Sequence, residues 1–217
     1  KGAQIIASTK TAKAIPEVHG YKEYFFVEMA KMFKKGEYPQ PTEVDQTFDL
    51  EMDLVLGGGE RILLRELSSP GVSSTQSVVY IKSIGALLVG DLVHYKAHAW
   101  LEGGIVKGQA TPTLEGWIKD LIEISEMFPK NTMVYGGRGS SARLEKVVPE
   151  QIQYLQMAKS LVQHEIQLLR DAAEKFKGPN AGTLYKKLAQ TFQEKFPDYE
   201  LPYMIEYGVY GLVQSEL

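Results

Sequence analysis

A strand hairpin followed by a strand–helix–strand pattern constrains the fold of this 217-residue chain most. Two apolar runs, Gln76–Lys82 and Ala86–Val89, flank a short turn, and the second run ends in Gly90-Asp91. Apolar residues then recur at helical spacing from Thr113 to Phe128, and a last strand is predicted at Thr132–Tyr135. Strands in series followed by a strand–helix–strand unit predict an α/β layered domain.

The composition excludes several classes of function. The net charge is −3, whereas nucleic-acid-binding surfaces are usually basic, so we expect no nucleic-acid partner. The chain has no cysteine, which excludes disulfides, thiolate zinc sites and a cysteine nucleophile. No apolar run approaches the roughly 18 residues that a membrane-spanning helix needs, and no signal peptide is visible, so we expect no membrane association. The compartment is not indicated.

The first part of the chain is predicted to contain a short strand at Gln4–Ala7 and two helices. Ser8 or Thr9 is suited to cap the first helix, because a hydroxyl satisfies free backbone N–H groups at a helix start. The second helix is predicted over Tyr21–Lys35 and is expected to end at Gly36, since glycine tolerates a left-handed turn.

A triple glycine, Gly57-Gly58-Gly59, lies between two further strands predicted at Thr47–Leu56 and Arg61–Leu67. A phosphate-binding loop would open a helix, whereas this glycine run opens a strand. We therefore interpret it as a hairpin turn.

The last third of the chain is predicted to be helical. A helix starting at Pro149 is expected to run to Phe176, roughly 42 Å at the helical rise. One of its faces is apolar, with residues that recur at steps of three and four: Leu155, Ala158, Val162, Ile166, Leu169, Ala173 and Phe176. This change of character suggests two domains, residues 1–146 and an α-helical extension at residues 147–217.

Four short motifs, taken in order, resemble the second half of the metallo-β-lactamase superfamily domain. Pro70-Gly71-Val72 precedes the hairpin, Gly90-Asp91 ends it, His98-Ala99-Trp100-Leu101 follows, and Gly137-Arg138-Gly139 comes after the last strand. The resemblance implies part of an αβ/βα sandwich with a helical C-terminal extension. The family's first motif, His-x-His-x-Asp-His, is absent from the sequence, and this is the largest departure from the family.

The resemblance implies that three positions correspond to family metal ligands, and two of them have changed. Val72 stands where a histidine is expected, and valine has no lone pair for a metal. Arg138 stands in the place of the last histidine, and its permanent charge would repel a cation. Only Asp91 survives. We therefore expect no metal cofactor in this chain, and a vestigial active-site pocket formed by Val72, Asp91, His94, His98 and Arg138.

Two histidines near Asp91 leave an alternative open. His94 and His98 are four residues apart, so on a helical turn they would share a metal with Asp91 as a two-histidine, one-carboxylate set. The simpler interpretation is that His98 lines the old pocket and His94 faces solvent. Asp91 itself would then have a structural role.

Arg138 leads to the most specific hypothesis about the site. If the fold is kept, its guanidinium would occupy the space of the lost cation and pair with Asp91, because an unpaired, partly buried carboxylate is costly. Alternatively, Arg138 points to solvent from a mobile glycine loop. A third interpretation is that residues 136–141 bind an anion through their backbone N–H groups.

Three functions remain open from the sequence. The first is a degenerate metallo-β-lactamase-like protein with a binding or structural role and a small-molecule ligand. The second is a metal-dependent hydrolase of ester, lactone, thioester or phosphoester substrates, with zinc or another divalent metal held by an upstream motif. The third is an oligomerisation module, in which the Leu155–Phe176 face forms a homodimer.

Overall fold

The structure, a computed structural model, describes residues 2–217 and contains strands in three sheets. The strands are β1 Ile6–Ser8, β2 Gln46–Phe48, β3 Glu51–Val55, β4 Arg61–Glu66, β5 Ser77–Ile81, β6 Ala86–Tyr95, β7 Gly104–Val106, β8 Gln109–Thr111, β9 Met133–Gly139 and β10 Ala142–Arg143. The helices are α1 Thr9–Tyr24, α2 Leu114–Met127, α3 Leu144–Leu168, α4 Ala172–Lys177, α5 Ala181–Lys195, α6 Tyr203–Gly208 and α7 Tyr210–Glu216.

The main sheet has six strands in the order β10-β9-β6-β5-β4-β3. The β5–β6 hairpin is antiparallel, and β9 joins β6 in parallel after α2 crosses between them. The predicted hairpin and strand–helix–strand unit are therefore confirmed. Strand β6 continues to Tyr95 instead of ending at Val89. Gly90 has a left-handed φ of 53°, and the register of pairing with β9 shifts on both sides of it.

The segment predicted as one strand at Thr47–Leu56 forms two. Strand β2 pairs in parallel with β1, whereas β3 pairs with β4 at the edge of the main sheet. The predicted hairpin turn at Gly57-Gly58-Gly59 is confirmed: the Leu56 N–H donates to the Glu60 carbonyl at 2.9 Å, and two of the glycines have φ above 80°.

Helix α1 starts where a cap was predicted, since the Ser8 hydroxyl accepts the Thr11 N–H at 3.0 Å. The separate helix predicted over Tyr21–Lys35 is wrong. Helix α1 passes through Gly20 without a break and continues into a π-helical turn at Phe25–Met29.

The C-terminal helices pack on the sheet. Helix α3 starts at Leu144 rather than at Pro149, and it ends at Leu168, with α4 separated from it by a turn at Asp171 (φ 58°). Leu155, Ala158 and Val162 are fully buried, and they belong to the same core cluster as residues of the sheet. Much of the apolar face predicted for a homodimer is therefore buried within the chain, although Ala173 is exposed. The homodimer stays a prediction.

Among residues 2–217, no helix is both long enough and apolar enough to span a membrane.

Candidate functional site

Asp91 and Arg138 meet on adjacent parallel strands, β6 and β9. The Arg138 Nη1 atom lies 2.5 Å from Asp91 Oδ1 and 2.6 Å from Oδ2, so one nitrogen donates to both carboxylate oxygens. The side chains are 39% and 40% exposed. The predicted ion pair is confirmed, and the interpretation of Arg138 as a solvent-pointing residue on a mobile loop is wrong.

The glycines around Arg138 allow the two strands to approach. A Cβ atom at Gly137 would lie 2.6 Å from Asp91 Oδ1, and one at Gly136 would lie 2.2 Å from the Val93 carbonyl oxygen. The backbone of this segment pairs with β6, and the Ser140 N–H donates to the Tyr95 carbonyl. Strand pairing therefore engages part of the backbone at residues 136–141, and the anion cradle stays a prediction.

His94 lies beside the ion pair and is 1% exposed, so the interpretation that it faces solvent is wrong. Its Nε2 atom is 3.7 Å from Asp91 Oδ1, too far for a hydrogen bond, and neither ring nitrogen has a partner among the described residues. Burial lowers the pKa of His94 to about 4; Asp91 opposes this shift and Arg138 adds to it. The ring is therefore neutral at neutral pH.

His98 belongs to the helical part of the molecule and not to the Asp91 site. It is fully buried, and its ring nitrogens lie 3.1 Å from the Tyr154 hydroxyl and 3.3 Å from Gln193 Oε1. The predicted set of Asp91, His94 and His98 is not formed, because Asp91 and His94 lie in the extended strand β6 and His98 follows it, so no helical turn brings the two histidines together. Across residues 2–217, no group of three His, Cys, Asp or Glu side chains is placed to hold a metal.

Val72 lines the same cleft as Asp91 and is 8% exposed. Of the three expected ligand positions, one thus carries an apolar side chain, one a guanidinium, and one a carboxylate bound by that guanidinium. A dinuclear metal centre needs several anionic or neutral donors with free lone pairs. The residues present at these three positions do not fit such a centre.

An open cleft of about 850 Å³ adjoins the ion pair. It lies between β1 and α1 on one side and the main sheet on the other, and both Val72 and Asp91 line it. Its walls are mostly apolar, with Ile15, Val18, Leu64 and Val78 among them, whereas the segment from Ser73 to Ser77 supplies a hydroxyl-rich rim.

Part of the cleft is lined by a hydrogen-bond network around Glu102 that the sequence did not predict. The buried Glu102 carboxylate accepts hydrogen bonds from Lys22 Nζ at 2.6 Å, the Tyr21 hydroxyl at 2.8 Å and Trp100 Nε1 at 3.0 Å. The Tyr210 hydroxyl also donates to it. Burial, with the neighbouring Glu102, raises the pKa of Tyr21. The donors come from α1, the loop after β6 and α7, so the only available sequence signal was the Trp100-Leu101-Glu102 segment.

Comparison with known proteins identifies the fold. No family model and no curated protein matches the sequence. A metallo-β-lactamase family protein from Thermus thermophilus aligns over 98% of this chain with a TM-score of 0.58 and 16% identity. A metallo-β-lactamase from Pontibacter korlensis aligns over 71% of it, with a TM-score of 0.51 and 18% identity. The chain spans 66% and 59% of those proteins' lengths. It has the metallo-β-lactamase fold, as its motifs predicted.

Proposed function

We propose that this metallo-β-lactamase-fold chain is a binding module in which Arg138, rather than a metal ion, is the counter-charge of Asp91. The observation that supports it is the contact of Arg138 Nη1 with both oxygens of Asp91, at 2.5 and 2.6 Å. Arginine stays protonated at all physiological pH values, so this counter-charge is permanent. Both Asp91 oxygens are engaged, and a cation would have to displace the guanidinium against its charge.

The ligand proposed for this module is a small molecule bound in the cleft beside Asp91. Small-molecule sites are usually concave and mostly apolar, with a few polar groups that fix orientation. The cleft has this character, since its apolar walls end at the Ser73–Ser77 rim and at Asp91. An elongated apolar molecule with a hydrogen-bonding head group matches this distribution.

Metal analysis tests the first part of the proposal. We expect protein purified without chelator to contain no stoichiometric zinc, manganese or iron, and added Zn²⁺ to give no saturable heat in calorimetry. The same titration on Asp91→Asn serves as the control, because it removes the one carboxylate that stands at a family ligand position. Stoichiometric metal that is lost on this substitution would overturn the proposal.

Binding of the apolar fluorophore anilinonaphthalene sulfonate tests the cleft. We expect saturable one-to-one binding that Ile15→Glu abolishes, because this substitution places a charge on the apolar wall. Ile122→Glu is the matched control, since Ile122 is 43% exposed on α2 and lies outside the cleft. Equal loss in both variants would show that the probe does not report on the cleft.

Two other functions remain as alternatives with distinct outcomes. A metal-dependent hydrolase would contain stoichiometric metal and turn over esterase, lactonase or phosphodiesterase substrates. A homodimer would show twice the chain mass in light scattering, through a surface other than the buried face of α3.

A further inference from the structure

The loop that contains Val72, a residue of the cleft wall, is hydrogen-bonded to helix α2 and to Thr113 at its start. We call residues 68–72 the clamp loop. The Ser68 N–H donates to Glu123 Oε2 at 3.0 Å, the Ser69 N–H donates to Asp120 Oδ1 at 2.9 Å, and the Thr113 hydroxyl donates to the Pro70 carbonyl at 2.8 Å. In two of these three hydrogen bonds, the acceptor is therefore a carboxylate of α2.

The contact between the clamp loop and α2 is too close for side chains at two positions. A Cβ atom at Gly116 would lie 2.0 Å from the Pro70 carbonyl oxygen, and one at Gly71 would lie 2.8 Å from Trp117 Cα. Backbone therefore packs directly on backbone here. The Ser73–Ser77 rim of the cleft follows immediately, so the position of the clamp loop sets the position of that rim.

Beneath this contact lie two buried carboxyl groups that are incompletely bonded. Asp120 is 0% exposed, and its Oδ2 atom has no partner among the described residues. Glu66, on β4, is 1% exposed; its Oε2 atom accepts the Ser77 hydroxyl at 2.6 Å, whereas its Oε1 atom has no partner in that same part of the chain. Two neighbouring buried carboxylates are costly when both are charged.

The charged groups around Asp120 come from three elements. Glu123 of α2 and Glu66 of β4 are negative, and Lys10 of α1 is positive. Arg65 of β4 is directed to Glu123, with Nη2 3.8 Å from Glu123 Oε1. The pKa of Asp120 is raised to about 7, mainly by burial; Glu123 and Glu66 contribute to this rise, while the Ser69 N–H bond and Lys10 oppose it.

We infer that a proton on Asp120 holds the clamp loop against α2, and that loss of this proton loosens the loop and the adjoining cleft rim. A neutral Asp120 accepts the Ser69 N–H through Oδ1 and presents an O–H in place of an unpaired charged oxygen. An ionised Asp120 puts a second buried negative charge beside Glu66. The inference rests on the proposed function only in that the clamp loop borders the proposed ligand cleft.

The direction in which stability changes with pH follows from the pKa of Asp120 in the unfolded and in the folded state. The ordinary pKa of an aspartate is near 3.8, and the folded value is about 7. The folded state therefore binds the proton more tightly, so its stability falls as the pH rises from about 4 to about 7 and then levels off.

Asp120→Asn tests the inference, because asparagine keeps the Oδ1 acceptor and mimics the protonated carboxyl. Between pH about 5.5 and about 8, we expect the melting temperature of the wild-type protein to fall by about 5 °C relative to that of the variant. Hydrogen exchange at the Ser68 and Ser69 amides, compared between the two proteins at equal pH, should show lost protection in the wild type at the higher pH only. Glu126→Gln, at an exposed position on α2, is the matched control and should behave as wild type.

Three outcomes would overturn the inference. The first is a pH dependence of melting that is identical in wild type and Asp120→Asn. The second is a variant destabilised equally at both pH values, which would mean that the ionised carboxylate is the required acceptor. The third is unchanged exchange at Ser69 despite a shifted melting temperature. None of these measurements involves metal or fluorophore, so they fail or succeed independently of the proposed function.

Discussion

The ion pair between Arg138 and Asp91 stabilises the fold modestly, because both side chains are about two-fifths exposed. We expect Arg138→Ala to lower the free energy of unfolding by about 1 kcal/mol, at the upper end for solvent-accessible pairs. Asp91→Asn should cost a similar amount. In the double variant the costs should not add, since the second substitution removes a partner that is already gone. Urea unfolding of the four proteins measures the coupling.

The exposed pair of Glu28 and Lys31, with nitrogen and oxygen 3.2 Å apart, provides the control for this cycle. Its side chains are 50% and 70% exposed, so its coupling should be close to zero. Fully additive costs for Arg138→Ala and Asp91→Asn would contradict the ion pair.

His94 makes the chain sensitive to acid. Its pKa is lowered from the ordinary 6.5 to about 4, so its neutral form contributes stability above pH 6.5 that is lost as the pH falls towards 4. We expect His94→Leu to remove a penalty of about 2.5 kcal/mol at pH about 4.5 while having little of this effect at pH about 7. Denaturant unfolding at both pH values measures the difference.

His164→Leu is the control, because His164 is exposed on α3. If both histidine variants showed the same change between the two pH values, burial of His94 would not be the cause of the acid sensitivity.

Charge predicted the partner of Asp91 correctly, whereas residue spacing did not predict the positions of His94 and His98. Asp91 needs a counter-charge whatever the local geometry is, and this need predicted its pairing with Arg138. The spacing of His94 and His98 has meaning only on a helix, and strand β6 continues to Tyr95 instead. The unpaired oxygens of Glu66 and Asp120 come from different elements, so no local pattern indicated them.

Helix α3 stabilises the molecule through its buried face. Leu155 is 0% exposed and belongs to the core cluster. We expect Leu155→Ala to lower the free energy of unfolding by about 3 kcal/mol, through lost burial and the cavity that remains. The oligomeric state in light scattering should not change, because the Leu155 side chain lies inside the chain.

Leu168→Ala, on the same helix and 62% exposed, should cost far less. Comparable costs for the two leucines, or a change of mass caused by Leu155→Ala alone, would instead support an intermolecular role for the face.

Elements fixed by local chemistry were predicted well. The Ser8 cap and the turn at Gly57-Gly58-Gly59 need only neighbouring residues, and both are present. The break between β2 and β3 was missed, because it arises from pairing with two different sheets. Sequence periodicity cannot distinguish one strand from two that continue in different sheets.

The whole molecule has one continuous core, although the sequence suggested a division at residue 146. Residues such as Leu87 in the sheet and Phe192 in the last third belong to the same buried cluster. Glu102 adds a polar connection, since Lys22 of α1 and Tyr210 of α7 both bond to its carboxylate. Composition alone does not distinguish a change of layer from a change of domain, so the division at residue 146 stays a prediction.

A single core predicts a single unfolding transition, and the two tryptophans of the chain test it. Trp117 donates from Nε1 to the Leu92 carbonyl in the sheet, whereas Trp100 contacts the Glu102 network near α7. In Trp100→Phe and in Trp117→Phe, the remaining tryptophan's fluorescence should change at the same urea concentration as the far-ultraviolet circular dichroism. The comparison is made within each variant, because losing the Trp117 hydrogen bond lowers stability by itself. Separate midpoints would show that residues 1–146 and 147–217 unfold as independent units.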